Sequence, residues 1–141
     1  MKTQISFRIT VIDPPPGVWM KMQKGRDELI DPEVLQDGSL QFEFPISVDL
    51  ESGTPNFLGK FAQGPKDSRF VYVNSGSYAG QTATHWARRA KLSLMSITSA
   101  MLDSALAKED GRMETTINGT GKDGGPVCAS IKGLEWKVAG K

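Results

Sequence analysis

The chain has 141 residues, 38% of them apolar, with 15 glycines, 8 prolines and a formal net charge of +1. That length suits one domain around one core, burying roughly two-thirds of the surface of its unfolded chain without a metal or disulfide staple. The near-zero charge excludes a global field that would recruit nucleic acid or an anionic membrane. The single cysteine, Cys128, excludes an intramolecular disulfide and a thiolate metal cluster within one chain, and no run approaches the ~18 apolar residues of a membrane helix.

In chain order, Ile5, Phe7, Ile9 and Val11 alternate with Ser6, Arg8 and Thr10, which predicts a strand with one wet face. The same stretch, MKTQISFRITVI, lacks the continuous apolar core and small-residue cleavage site of a signal peptide, so the expected compartment is the cytoplasm. Asp13-Pro14-Pro15-Pro16-Gly17 ends this strand, because prolines donate nothing to a ladder. Val18, Met20 and Met22 alternate with Trp19, Lys21 and Gln23 to give a second strand. Residues 24–39 are polar and turn-rich and read as a long surface connection, with room for one helical turn after Asp31-Pro32.

Leu40, Phe42, Phe44, Ile46, Val48 and Leu50 then repeat with strict period two, the clearest strand of the chain, in which Pro45 points to an edge or a bulge. Phe57–Ala62 and Phe70–Val73 flank the Gly64–Ser68 loop and predict a hairpin. Residues 74–84, NSGSYAGQTAT, read as loop by composition. Trp86, Arg88, Ala90, Leu92 and Leu94 share one parity of a further strand. A helix is expected over 96–108, with Ser96 as N-cap, Ile97, Met101, Leu102, Ala105 and Leu106 on its apolar face, and Gly111 as its stop. Met113, Thr115 and Ile117 form another strand, and Val127–Ile131 and Leu134–Val138 supply one bulged or two short ones. The sum is a single domain over 1–141, mostly β (α+β), with about eight antiparallel strands in a partly closed barrel or sandwich and one helix covering an opening.

Gly119, Gly121 and Gly124 in INGTGKDGGPVCA carry the G-x-G-x-x-G spacing of a dinucleotide turn. Such a turn needs a helix after it to hold the pyrophosphate. Here Pro126–Ile131 reads as strand, and the chain after Gly124 is too short for the rest of the unit. Gly121-Lys122 is followed by Asp123 where a P-loop needs Ser or Thr. A glycine-rich hairpin loop is therefore expected, and no cofactor. His85, the only histidine, makes no zinc site by itself, and no metal is expected. Its other reading is a general base, which needs partners that spacing does not supply. Cys128 reads as a small buried residue, and the sequon Asn118-Gly119-Thr120 has no meaning without secretion.

Charge is segregated. Asp27 to Glu51 holds eight acids and no Lys or Arg, whereas Lys60 to Lys91 holds six bases against the single acid Asp67. The two stretches either pair with one another or leave a basic site for a carboxylate or phosphate. Arg88 is the candidate anchor, because a guanidinium on the parity of Ala90 and Leu92 needs a partner. Arg89, Lys91 and Arg69 add charge, and Tyr78 and Trp86 add contact area. Nucleic acid is not expected, since the acidic stretch would repel a phosphate backbone and no strand carries an RNA-recognition pattern.

The segments FLGKFAQGPKDSRFVYVNSGSYAGQ, WARRAKLSL, GTGKDGGPVCA and LEWKV resemble an uncharacterised bacterial single-domain family of unknown function, from about Pro15 onward. The resemblance implies a small bacterial protein, cytoplasmic, and carries over no activity and no catalytic residue. The leading reading is a non-enzymatic binding domain for a small organic anion or an acidic partner segment. The runner-up is an enzyme acting on a small substrate with His85 as general base. A structural homo-oligomer, a homodimer joined through exposed sheet edges, is the third.

Overall fold

The computed structural model describes residues 2–50, 53–77, 88–119, 131 and 134–141, and for Ser77 and Arg88 the backbone alone. These residues form ten strands and one helix: β1 (Lys2–Ile12), β2 (Val18–Lys24), β3 (Glu28–Ile30), β4 (Glu33–Val34), β5 (Leu40–Asp49), β6 (Asn56–Leu58), β7 (Phe70–Ser77), β8 (Arg88–Ser93), α1 (Ser99–Leu106), β9 (Arg112–Asn118) and β10 (Lys137–Ala139). One sheet has the order β10-β9-β1-β5-β4, with β6 also paired to β5. The second has the order β3-β2-β7-β8. The arrangement is a sandwich, with no closed barrel among the described residues.

Period two decides which residues fill the core. Ile5, Phe7, Ile9 and Val11 of β1 and Phe42, Phe44, Ile46 and Val48 of β5 are buried on one side, facing Met20, Met22, Val71, Val73, Ala90 and Leu92 of the second sheet. Phe7 sits at the centre. Its ring lies 5.9 Å from Phe44, 6.4 Å from Phe57 and 5.4 Å from Trp136, the last two edge-on. Trp136 also donates its indole N–H to the Ser93 carbonyl at 2.8 Å, tying the chain beside β10 to the end of β8 in the other sheet.

Several expectations are corrected. The β1–β9 pair is parallel, with Phe7 opposite Met113, so the six-stranded sheet is mixed. Residues 24–39 hold two short strands instead of a plain connection with a helical turn. β3 pairs with β2 and β4 with β5, so the chain changes sheets at Asp31-Pro32. The expected hairpin shrinks to one bridge, Gln63 opposite Phe70, because β6 pairs with β5 while β7 joins the second sheet. Residues 74–77 continue β7 instead of beginning a loop. Pro45 does lie at a break in an edge: β5 is paired on its far side only at Leu40–Gln41 by β4 and at Ser47–Asp49 by β6.

The helix begins later than its hydroxyl pattern suggests. Thr98, not Ser96, is the N-cap, accepting from Met101 N–H at 3.2 Å. Leu102 and Ala105 are buried, whereas Leu106 faces outward. The helix packs on β10, β9 and β1. Gly111 follows because the chain passes so close to the helix end that a Cβ there would lie 1.7 Å from the Ala105 carbonyl oxygen. Gly119 is the described glycine of the G-x-G-x-x-G run. Its N–H donates to the Ile12 carbonyl at 2.8 Å, and a Cβ would press on Pro14 Cα at 2.9 Å, so close approach explains it. Residues 120–130, with Gly121, Lys122, Gly124 and Cys128, lie outside the described residues. In the turn before β5, the Asp37 carboxylate accepts the Ser39 N–H at 2.9 Å, which holds its pKa below the ordinary carboxylate value.

Candidate functional site

The outer faces of the two sheets differ in how their charges are met. On the six-stranded sheet Arg8 stands opposite Glu43 on one side and Glu114 on the other, and it bridges both, at 3.3 and 3.4 Å. Arg112 adds a 2.6 Å contact to Glu114. Cross-strand register thus neutralises this face.

On the four-stranded sheet the outward residues are Trp19, Lys21 and Gln23 of β2, Phe70, Tyr72, Asn74 and Gly76 of β7, and Arg89 and Lys91 of β8, by the parity opposite to Met20, Val73 and Ala90. Gln23 and Trp19 are buried, and Asn74 is fully buried. A polar ladder meets the two amides. Gln23 Nε2 donates to the Gly25 carbonyl at 3.0 Å, Asn74 Nδ2 donates to Gln23 Oε1 at 3.2 Å, and Arg89 Nε donates to Asn74 Oδ1 at 3.2 Å. Each amide has a partner, which is the condition for burying it.

Above this ladder the cations stand over rings. The Arg89 guanidinium carbon is 4.9 Å from the Tyr72 ring centroid, and the Lys91 ammonium is 5.7 Å from that of Phe70. The two rings stack at 6.2 Å. Arg89 is therefore held in one posture by a hydrogen bond on its edge and a ring against its face. Among the described residues Lys91 enters no ion pair.

The sequence-derived candidates separate. Arg89 and Lys91 share the outer face. Arg88 takes the register position opposite Ser75, on the parity of Ala90 and Leu92, and its side chain lies outside the described residues. Ser75 is fully buried, and its hydroxyl has no hydrogen-bond partner among the described residues. Arg69 precedes β7 on the parity of Val71 and donates to the Ala62 carbonyl at 3.2 Å, holding the chain before the Gly64–Ser68 loop. His85, Tyr78 and Trp86 lie outside the described residues. Of the acidic stretch, Asp31 is bridged by Lys21 at 3.3 Å and Glu43 by Arg8, neither of which belongs to the basic stretch. Sequence reasoning did not assign Gln23 to the site, and it read Asn74 as a loop residue where the structure makes it a buried strand residue that anchors Arg89. The available signal was the even numbering of Phe70, Tyr72 and Asn74, which sets them opposite to Val71 and Val73.

Clefts of about 500 Å³, beside Asn56 and Lys66, and about 330 Å³, beside Arg8 and Arg112, lie apart from this face. Among the described residues no group of three or more His, Cys, Asp or Glu is placed to hold a metal ion, and no helix is long and apolar enough to cross a membrane. The fold is thus that of a two-sheet α+β domain in which, among the described residues, one outer face carries cross-strand ion pairs and the other carries cations over aromatic rings. The chain belongs to a family of unknown function, DUF5990, whose model matches residues 5–139. No curated protein and no solved structure matches it.

Proposed function

We propose that this domain is a non-enzymatic binding module for an anion, a small organic acid or an acidic partner segment, taken on the outer face of the four-stranded sheet by Arg89 and Lys91. The observation that carries this reading is the posture of the two cations over the stacked Phe70 and Tyr72 rings. A ring face attracts a cation but bears no net charge, so the Phe70 ring does not cancel the charge of Lys91. Pinning Arg89 through the buried Asn74 lowers the ordering cost of meeting a carboxylate, which is how a prepared site gains affinity. The same reading sets the protein in the cytoplasm of a bacterium.

The test is thermal unfolding with succinate and citrate, and with uncharged polyols as controls. A ligand at 100 times its Kd stabilises by about 2.7 kcal/mol, which for a chain of this size is roughly 5–10 °C in Tm. We expect such a shift with a carboxylate, lost in Lys91→Glu and in Arg89→Met. A shift that survives both substitutions would move the site elsewhere. Blank screens with both these carboxylates and acidic peptides would remove the reading.

A further inference from the structure

The outer face of the six-stranded sheet holds a cleft of about 330 Å³, lined by Ser6, Arg8, Glu43, Asp110, Gly111 and Arg112. That volume lies at the lower end of the roughly 300–1,000 Å³ of small-molecule sites. All six residues are described, and none adjoins a segment outside the described residues. Register explains the hollow. Ser6 lies between Pro45 of β5 and Arg112 of β9, one row from Arg8 with its partners Glu43 and Glu114. A serine thus forms a low point beside two arginines. The Gly111 wall is bare backbone, because a Cβ there would lie 1.7 Å from the Ala105 carbonyl oxygen.

The walls carry both signs, and their mutual contacts leave groups unspent. Arg8 gives one long bond to each glutamate, at 3.3 and 3.4 Å, and its Nε–H is closed off from solvent without an acceptor among the described residues. Arg112 uses Nε on Glu114 at 2.6 Å and Nη1 on the Asp110 carbonyl at 3.2 Å, so Nη2 has no partner among the described residues. Glu43 meets Arg8 through Oε1 alone. The Asp110 carboxylate enters no ion pair among the described residues, and its backbone holds φ at +54°, a conformation that few non-glycine residues adopt. The two arginines balance Glu43 and Glu114, which leaves Asp110 as a carboxylate in excess. We infer that this cleft binds a free basic amino acid, of the class of L-lysine. Its α-carboxylate accepts from Arg112 Nη2, with Arg8 alongside, in charge-assisted bonds. Its ammonium groups donate to Asp110 and to Glu43 Oε2. The ligand's net charge of about +1 at neutral pH offsets Asp110, and its two signs match walls that present two signs. A simple organic acid would meet three carboxylates with nothing to offer them, and a diamine would leave Arg112 unspent. The site is separate from Arg89 and Lys91 and does not depend on the reading of their face.

The test is an amide NMR titration of the full chain with L-lysine, L-norleucine, pentane-1,5-diamine and hexanoate at one pH and salt concentration. Norleucine lacks the side-chain ammonium, the diamine lacks the carboxylate, and hexanoate lacks both ammonium groups. We expect L-lysine to shift the Ser6, Gly111 and Arg112 amides to saturation. Norleucine and the diamine should bind at least tenfold more weakly, and hexanoate more weakly still. Asp110→Asn keeps a residue that tolerates positive φ and should erase most of the advantage of lysine over norleucine. Ser6→Leu fills the floor of the cleft and should abolish the shifts; if that variant fails to fold, Asp110→Asn decides. Equal binding of the diamine would make the cleft a plain cation site, and equal binding of hexanoate an anion site, and either result overturns the proposal. So does a lack of saturable shifts with L-lysine, or lysine binding that Asp110→Asn leaves unchanged.

Discussion

On the outer face of the six-stranded sheet Arg8 lies between Glu43 and Glu114, its register partners on both sides, whereas on the four-stranded sheet Arg89 lies beside a neutral amide and over a ring. The first arrangement cancels charge where it stands. The second sets a cation against a neutral amide and an aromatic ring. Inside the sandwich the contrast runs the other way. The six-stranded sheet contributes the aromatic cluster around Phe7, and the four-stranded sheet contributes mainly aliphatic and methionine side chains. One sheet is thus anchored from within, and the other carries its distinguishing interactions outside.

The largest test of this contrast is Phe7→Ala. The ring is wholly buried against three other aromatic residues, and its removal should cost about 3–5 kcal/mol in urea unfolding. A loss under 1 kcal/mol would mean that the cluster is not what holds the six-stranded sheet. Leu102→Ala, which empties the helix face, should cost about 2–5 kcal/mol, since Leu102 is fully buried.

Asn74→Ala probes the other sheet. It leaves the Gln23 amide without its buried partner and frees the Arg89 edge, so a loss of about 1–3 kcal/mol is expected. Weaker binding of acidic ligands should accompany it. A neutral result in both stability and binding would show the ladder to be incidental. Arg8→Met should cost at most about 1 kcal/mol, because its partners are substantially exposed and such pairs are screened. The difference from the parent should shrink further in 1 M salt. A large, salt-independent loss would break the claim that this face is only neutralised.

The smallest effect concerns Asp37. The Ser39 hydrogen bonds lower its folded pKa, so its contribution is present above the unfolded carboxylate value and is lost as pH falls through the lower folded value. NMR titration of Asp37 should give a midpoint below that of a model Asp peptide. The stability difference between Asp37→Ala and the parent should vanish at the acid end of that range.

How much of this was written in the sequence depends on the length and register of each element. β1 and β5 were legible because residues 5–11 of the one and 40–49 of the other repeat their period without interruption. β3 and β4 were not, since three and two residues carry no period, and only the turn at Pro32 hints that the chain is changing sheets. Asn74 and Ser75 looked like loop by composition, yet sheet neighbours bury both. Composition reports what water prefers, and at Asn74 the polar ladder overrides that preference by supplying partners. The helix start slipped from Ser96 to Thr98 because two hydroxyl residues stand two apart, and either has cap chemistry. For the site, the basic stretch was visible, and so was the parity that separates Arg88 from Arg89. What was hidden was the partner of Arg89, because Asn74 is met across the sheet and not along the chain.

The parallel pairing of β1 with β9 has a consequence for the order in which the protein can be made. Arg8 and Glu114, register partners, are 106 residues apart along the chain. A ribosome adding about 5–20 residues per second needs on the order of 5–20 s to cover that interval. Throughout it β1 can have β5 on one side only, and its other edge stays open. Pairings between distant segments also form slowly after synthesis, since a large loop must close before any contact rewards it. The strand at the middle of the finished sheet is therefore made well before its partner β9 and enclosed late, so the interval before β9 arrives is when its open edge is most exposed to aggregation.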